Sequence, residues 1–160
     1  MTTVVAVLAM AGFWIWILSG GPRRANPDRV SDRSLIAADH DRCKAAVKAI
    51  SALPPATESR TATARAVVVD RATTILDRLI DHIQNTSPRS GKNAVRMRGW
   101  TRDWRTYLRD RRRYTERLRR DPRARFLLDV NPAGDSVDRV IKNFADINDM
   151  PSCATPGDVG

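Results

Sequence analysis

Met97, Trp100, Trp104, Tyr107, Tyr114 and Leu118 fall on alternating intervals of three and four residues. That spacing lays six large side chains along one face of an α-helix spanning about residues 92–119. A stripe so long and aromatic must be covered, so the rest of the chain has to supply a core around it. One seam position breaks the pattern: Arg111 stands between Tyr107 and Tyr114. A guanidinium held there needs a partner, and a carboxylate from a neighbouring helix, such as Asp70 or Asp77, is the expectation. The other outcome is a side chain that snorkels out from the seam.

Three further helices are readable. The first covers about 34–53, with Cys43, Ala46, Val47, Ile50 and Leu53 sharing a face, and ends at Pro54-Pro55, where the amide donor is lost. The second covers about 61–84, with Val68, Ala72, Ile75, Leu79 and Ile83 at helical spacing. Pro88 and Gly91 mark a loop before the aromatic helix, and Asp121-Pro122 closes that helix. The period then changes. Residues 125–130 read as a short strand or an extended segment laid across the helices, leading into the turn Asn131-Pro-Ala-Gly134, where Gly134 takes positive φ. Asp135 and Ser136 can cap a last helix to about Asn148, with Val137, Val140, Ile141, Phe144 and Ile147 on one side. The fold class is all-α: an antiparallel bundle of about four helices over 34–150, with a possible hairpin near 125–134 and a tail at 151–160.

An apolar run bounded by Val4 and Leu18 precedes the bundle and holds neither charge nor proline. Residues 2–18 reach roughly 26 Å as a helix, close to a hydrocarbon core of about 30 Å. Residues 1–21 therefore read as a transmembrane anchor in the lipid bilayer, and 22–33 as a polar linker. A cleaved signal would carry basic residues ahead of the run and a small-residue cleavage site. Arg23, Arg24, Arg29 and Arg33 follow it at once, which by the positive-inside rule argues for a cytoplasmic body.

Charge is concentrated elsewhere. The chain carries a net +10, and twenty-four of its 28 basic residues are arginine. The segment 89–125 holds fifteen basic and four acidic residues, so the excess sits on the aromatic helix and its flanks. At 100° per residue, Arg98, Arg102, Arg105, Arg109, Arg112, Arg113 and Arg120 share the side opposite the aromatic seam. Such a stripe suits an anionic surface or an acidic partner; a solvated face is the plainer reading. The aromatics lie opposite rather than among the arginines, so they read as core, which disfavours nucleic acid as the partner.

The chemistry of a catalyst is missing. No glycine-rich phosphate loop, G-x-S-x-G elbow or His-Glu-x-x-His pair occurs, and no cofactor or small-molecule substrate is suggested. His40 precedes Cys43 by three residues, but one such pair without a second is a weak metal signature. His82 reads as a surface residue, and Asp146 and Asp149 as capping or solvated carboxylates. The cysteines are Cys43 and Cys153. In an oxidising compartment a bond between them would stabilise the bundle by on the order of 4 kcal/mol. In a reducing one they are a buried thiol and a tail thiol, and the even count leaves both open.

Two stretches carry a resemblance: Trp100-Thr-Arg-Asp-Trp104-Arg-Thr-Tyr107-Leu, continuing through Tyr114 to Phe126, and Phe144-Ala-Asp-Ile-Asn148-Asp149-Met150-Pro151-Ser-Cys153. With Cys43 and the Leu53-Pro54-Pro55 helix end, they resemble small uncharacterised membrane-anchored helical proteins of actinobacteria. The likeness covers roughly residues 40–158 and implies an exported helical domain in which Cys43 and Cys153 match the family's cysteine positions, which favours a disulfide between them. The chain departs from that pattern in having no basic segment ahead of the apolar run. The resulting expectation is a non-catalytic, single-pass interaction or structural module of the cell envelope, its partner an envelope protein or anionic surface. The alternative is a cytoplasmic, membrane-tethered basic module that binds anionic lipid or nucleic acid through the arginine face.

Overall fold

The computed structural model describes residues 10–12, 14–15 and 26–159. Four helices make up the body: α1 (Arg33–Ser51), α2 (Ala62–Thr86), α3 (Gly91–Arg120) and α4 (Val137–Ile147), with short 3-10 turns at Ala56–Glu58 and Pro151–Cys153. The body is all-α, as expected. The apolar run bounded by Val4 and Leu18 lies largely outside the described residues. Among those described, no helix is long and apolar enough to cross a membrane.

Local chemistry accounts for the helix ends. Asp32 caps α1 by accepting from the amides of Ser34 (3.1 Å) and Leu35 (3.0 Å). Thr61 caps α2 through the Ala64 amide at 3.1 Å. The cap foreseen for α4 differs: Ser136 occupies the N-cap position without a side-chain hydrogen bond. The entry to α4 is held by backbone instead. The Val137 amide donates to Asp129 O at 3.0 Å, and a single antiparallel bridge joins Val130 to Ser136.

That bridge is all that forms of the foreseen strand or hairpin. Residues 125–130 run extended over the helices, with Phe126 and Leu128 turned inward and Leu127 exposed. Gly134 adopts φ +86° as the turn requires. Asn131 Oδ1 accepts from the amides of Ala133 and Asp135, both at 2.9 Å.

α3 is the axis of the core. Met97, Trp100, Trp104, Tyr107, Tyr114 and Leu118 are all buried. The rings form a chain of contacts: Phe144 stacks on Trp100 at 5.2 Å, Trp104 meets Trp100 and Tyr107 edge-on, and Phe126 wedges against Tyr107 (5.9 Å) and Tyr114 (5.5 Å). Truncating such a ring to alanine typically costs about 3–5 kcal/mol.

The faces of α1 and α2 differ from expectation. Val47 is exposed, and the buried stripe of α1 is Ile36, Asp39, Cys43, Ala46 and Ile50. In α2 the core takes Ala66, Val69, Ala72, Leu76, Leu79, Ile80 and Ile83, leaving Val68 and Ile75 only partly buried. Doubled apolar pairs (Val68-Val69, Ile75-Leu76, Leu79-Ile80) give two candidate stripes of equal hydropathy. Packing against α3 selects between them.

The flanking segments dock. Val30 is fully buried, and its amide donates to Asn148 Oδ1 at 2.8 Å. Arg29 and Arg33 both reach Asp149 Oδ2, at 3.0 and 2.8 Å. At the other end, residues 150–159 fold back onto the bundle, with Met150, Cys153 and Val159 buried. A disulfide joins Cys43 of α1 to Cys153, Cα to Cα 5.2 Å. It closes a separation of 110 residues, so reduction, or Cys153→Ser, should lower unfolding free energy by about 2–5 kcal/mol. Urea unfolding with and without reductant checks this, and coincident curves would contradict it.

Candidate functional site

The arginine stripe resolves into two populations. α2 places Asp70, Asp77 and Asp81 along its flank, and α3, running antiparallel, places Arg119, Arg112 and Arg105 opposite. Arg105 donates to Asp77 Oδ1 at 2.8 Å, to Asp81, and to Gln84 Oε1 at 3.1 Å. Arg112 reaches Asp77 Oδ2 at 2.9 Å, and Arg119 pairs with Asp70. Arg105, Arg112 and Arg119 recur every seven residues on α3, as do Asp70, Asp77 and Gln84 on α2, so the polar flanks stay in register as at the edges of a coiled coil.

Arg113 bridges Asp110 and Asp129, each at 3.3 Å. Asp110 is buried and also accepts the Asp129 amide at 2.9 Å, which fastens the extended segment to α3. Burial pushes the Asp110 carboxyl pKa up, with the Asp129 amide opposing. Of the seven stripe arginines, Arg98, Arg102, Arg109 and Arg120 form no ion pair among the described residues. Arg98 donates to Arg89 O, Arg109 to Thr106 Oγ1, and Arg120 to Glu116 O.

Arg111 belongs to neither population. Its side chain is fully buried. Nε donates to Thr73 Oγ1 at 2.8 Å and Nη1 to Tyr107 OH at 3.3 Å. Nη1 and Nη2 then grip the two oxygens of Asp158, at 2.5 and 2.7 Å. The guanidinium also lies 5.7 Å from the centroid of the Tyr107 ring. The carboxylate foreseen from Asp70 or Asp77 thus comes from Asp158, because α2 turns both aspartates to the outer flank. The planar fork matches a carboxylate in two bonds, which an ammonium would not. Burial alone would lower the Arg111 pKa, but the hydrogen bond to Asp158 and the neighbouring Tyr107 outweigh it and hold the cation. Burial likewise raises the Tyr107 phenol.

Beside this pair runs an apolar groove of about 320 Å³, lined by Val47, Leu53, Pro55, Val68, Pro156 and Asp158 among others. A second depression of about 650 Å³ lies between α3 and α4 over Trp100, Val140, Phe144 and Ile147, with Arg102 and Asp103 at its edge. Burial raises the Asp103 carboxyl, with Arg102 opposing.

The remaining sequence candidates have plain roles. Cys43 is committed to the disulfide, so it cannot join His40 as a thiolate ligand. Among the described residues no group of three or more metal-ligating side chains forms. His82 is exposed. Asp146 pairs with Lys142, and Asp149 with Arg29 and Arg33. Sequence reasoning missed Asp158, Thr73 and the buried Asp39, which takes a 2.7 Å bond from Arg42. The only advance signal for Asp39 was its seam position between Ile36 and Cys43. The chain matches no known family model, no curated protein and no solved structure.

A carboxyl whose folded pKa lies above its unfolded value binds its proton more tightly when folded, so ionising it costs stability as pH rises. Asp103→Asn should therefore raise the melting temperature at pH 7, and the gain should shrink toward pH 4; a gain that grows on acidification contradicts it. Asp77→Asn loosens two rungs of the α2–α3 ladder and should cost about 1 kcal/mol, less in high salt. A cost unchanged by salt in urea titrations would assign the loss to packing.

Proposed function

We propose that this chain is a non-catalytic interaction or structural module of the cell envelope, anchored through the apolar run at residues 2–18, with its helical body in an oxidising compartment. The observation that carries the reading is the Cys43–Cys153 disulfide. Such bonds persist outside reducing cytoplasm and stabilise domains too small for a large core. The resemblance read in the Trp100–Tyr107 and Phe144–Cys153 stretches would imply the same placement. The α2–α3 ladder supports a structural role for much of the arginine helix, since Arg105, Arg112 and Arg119 are engaged by aspartates of the same chain.

A second reading rests on Arg98, Arg102, Arg109 and Arg120, which form no ion pair among the described residues, and on the arginines after the apolar run. In it the body is cytoplasmic and the free part of the stripe meets anionic lipid or nucleic acid.

Thiol chemistry in intact cells separates the two. Under the envelope reading, a non-reducing gel of native membranes shows a faster band that slows on reduction. A membrane-impermeant maleimide then labels both cysteines of intact, pre-reduced cells. Thiols that are free from the start and react only after lysis would overturn it. Binding to anionic vesicles that falls steeply with salt, and is lost on Arg102→Gln with Arg109→Gln, would then favour the second reading.

A further inference from the structure

We infer that the Arg111 pocket and the adjoining apolar groove form a peptide-binding site that residues 156–159 fill in cis. Its ligand in trans would be an extended acidic peptide with an aliphatic residue beside the carboxylate. The inference rests on the interaction-module reading and supplies the chemistry of the partner.

The recognition groups are set by helices, not by their occupant. Thr73 on α2 and Tyr107 on α3 hold the guanidinium from one side, at 2.8 and 3.3 Å. That leaves Nη1 and Nη2 as a fork aimed at Asp158. Arg65 of α2 supplies a backbone contact, its Nη2 donating to Val159 O at 2.9 Å. A buried cation, an apolar pocket for the next side chain and a donor to a backbone carbonyl are the elements that recognise an extended acidic peptide.

The occupant is less firmly built than its site. Residues 154–159 form no helix or strand, and Gly157 turns at φ +65° to bring Asp158 down onto Arg111. The Asp158 side chain is 19% exposed while Arg111 is wholly buried, so solvent reaches the pair from the side of the segment. The groove continues past Pro156 to Val47, Leu53 and Pro55 with about 320 Å³ unfilled. A longer peptide would cover apolar surface that the cis segment leaves open. The Cys153 disulfide fixes the cis segment five residues ahead of Asp158, which gives it a high effective concentration over any ligand in trans.

The probe is a fluorescein-labelled peptide copied from residues 155–160, titrated by anisotropy into the full-length oxidised protein. Emptying the site in cis with Asp158→Ala and Val159→Ser should tighten peptide binding by about tenfold or more over the wild type. The same peptide with asparagine for its aspartate should bind at least about tenfold more weakly. Adding Arg111→Met should abolish binding. An emptied chain that binds neither peptide, or both equally, overturns the inference, as does binding that survives Arg111→Met. If the emptied chain does not fold, wild-type protein with millimolar peptide decides by hydrogen exchange. Faster exchange at residues 157–159 supports displacement, and unchanged exchange overturns it. Peptide binding by purified protein is independent of compartment, so its failure and a failed thiol-labelling result are read separately.

Discussion

A guanidinium at the centre of an aromatic seam sets the terms for this fold. Arg111 lies wholly inside the body, one helical turn from Tyr107 and less than one from Tyr114. Leaving such a charge unpaired would cost several kcal/mol. Three elements have to converge to satisfy it. α2 offers the Thr73 hydroxyl, α3 offers the Tyr107 phenol, and the segment after α4 offers both oxygens of Asp158. An aliphatic residue at that position would pack against the same neighbours while asking nothing of residues 154–159. The arginine therefore specifies where the last segment lies, a use of buried charge that favours one arrangement over others rather than adding raw stability.

The disulfide and the ion pair act on the same strip of chain. Cys153 ties its start to α1, and Asp158 ties its end to α3. Val159 is buried just beyond, in the small apolar cluster of Tyr114 and Leu118. The strip thus joins the first and third helices by a covalent bond at one end and a charge-assisted contact at the other. At the start of α1, Asn148 and Asp149 hold the segment before that helix through Val30, Arg29 and Arg33. Both flanks of the bundle are therefore fastened through the turn that follows α4.

Much of this arrangement is legible in the sequence. The seam of α3 could be read because its members are large and spaced by three and four, with no competing stripe on the helix. The face of α2 could not, because Val68-Val69, Ile75-Leu76 and Leu79-Ile80 satisfy two stripes at once and only packing chooses. The sequence flagged Arg111 as needing a carboxylate but pointed to Asp70 or Asp77 on the neighbouring helix, whereas the partner is Asp158, 47 positions away in a segment that no periodicity marks. The stripe arginines looked alike on a helical wheel. What separates Arg105 and Arg112 from Arg98, Arg102 and Arg109 is the flank of a different helix, and the spacing of Asp70, Asp77 and Asp81 was the available hint. Residues 151–159 read as a tail because they hold little apolar surface; a covalent bond and one ion pair do the work that hydrophobic periodicity does elsewhere.

If Arg111 and Asp158 together organise the fold, the two residues are energetically coupled, and a double-mutant cycle measures that coupling directly. Arg111→Met, Asp158→Asn and the double variant would be compared with wild type by urea unfolding of the oxidised chain. The account predicts a coupling free energy of at least about 2 kcal/mol, with the double variant far less damaged than the two single losses added together. Additivity within about 0.5 kcal/mol would show that the two side chains act independently, and would contradict it.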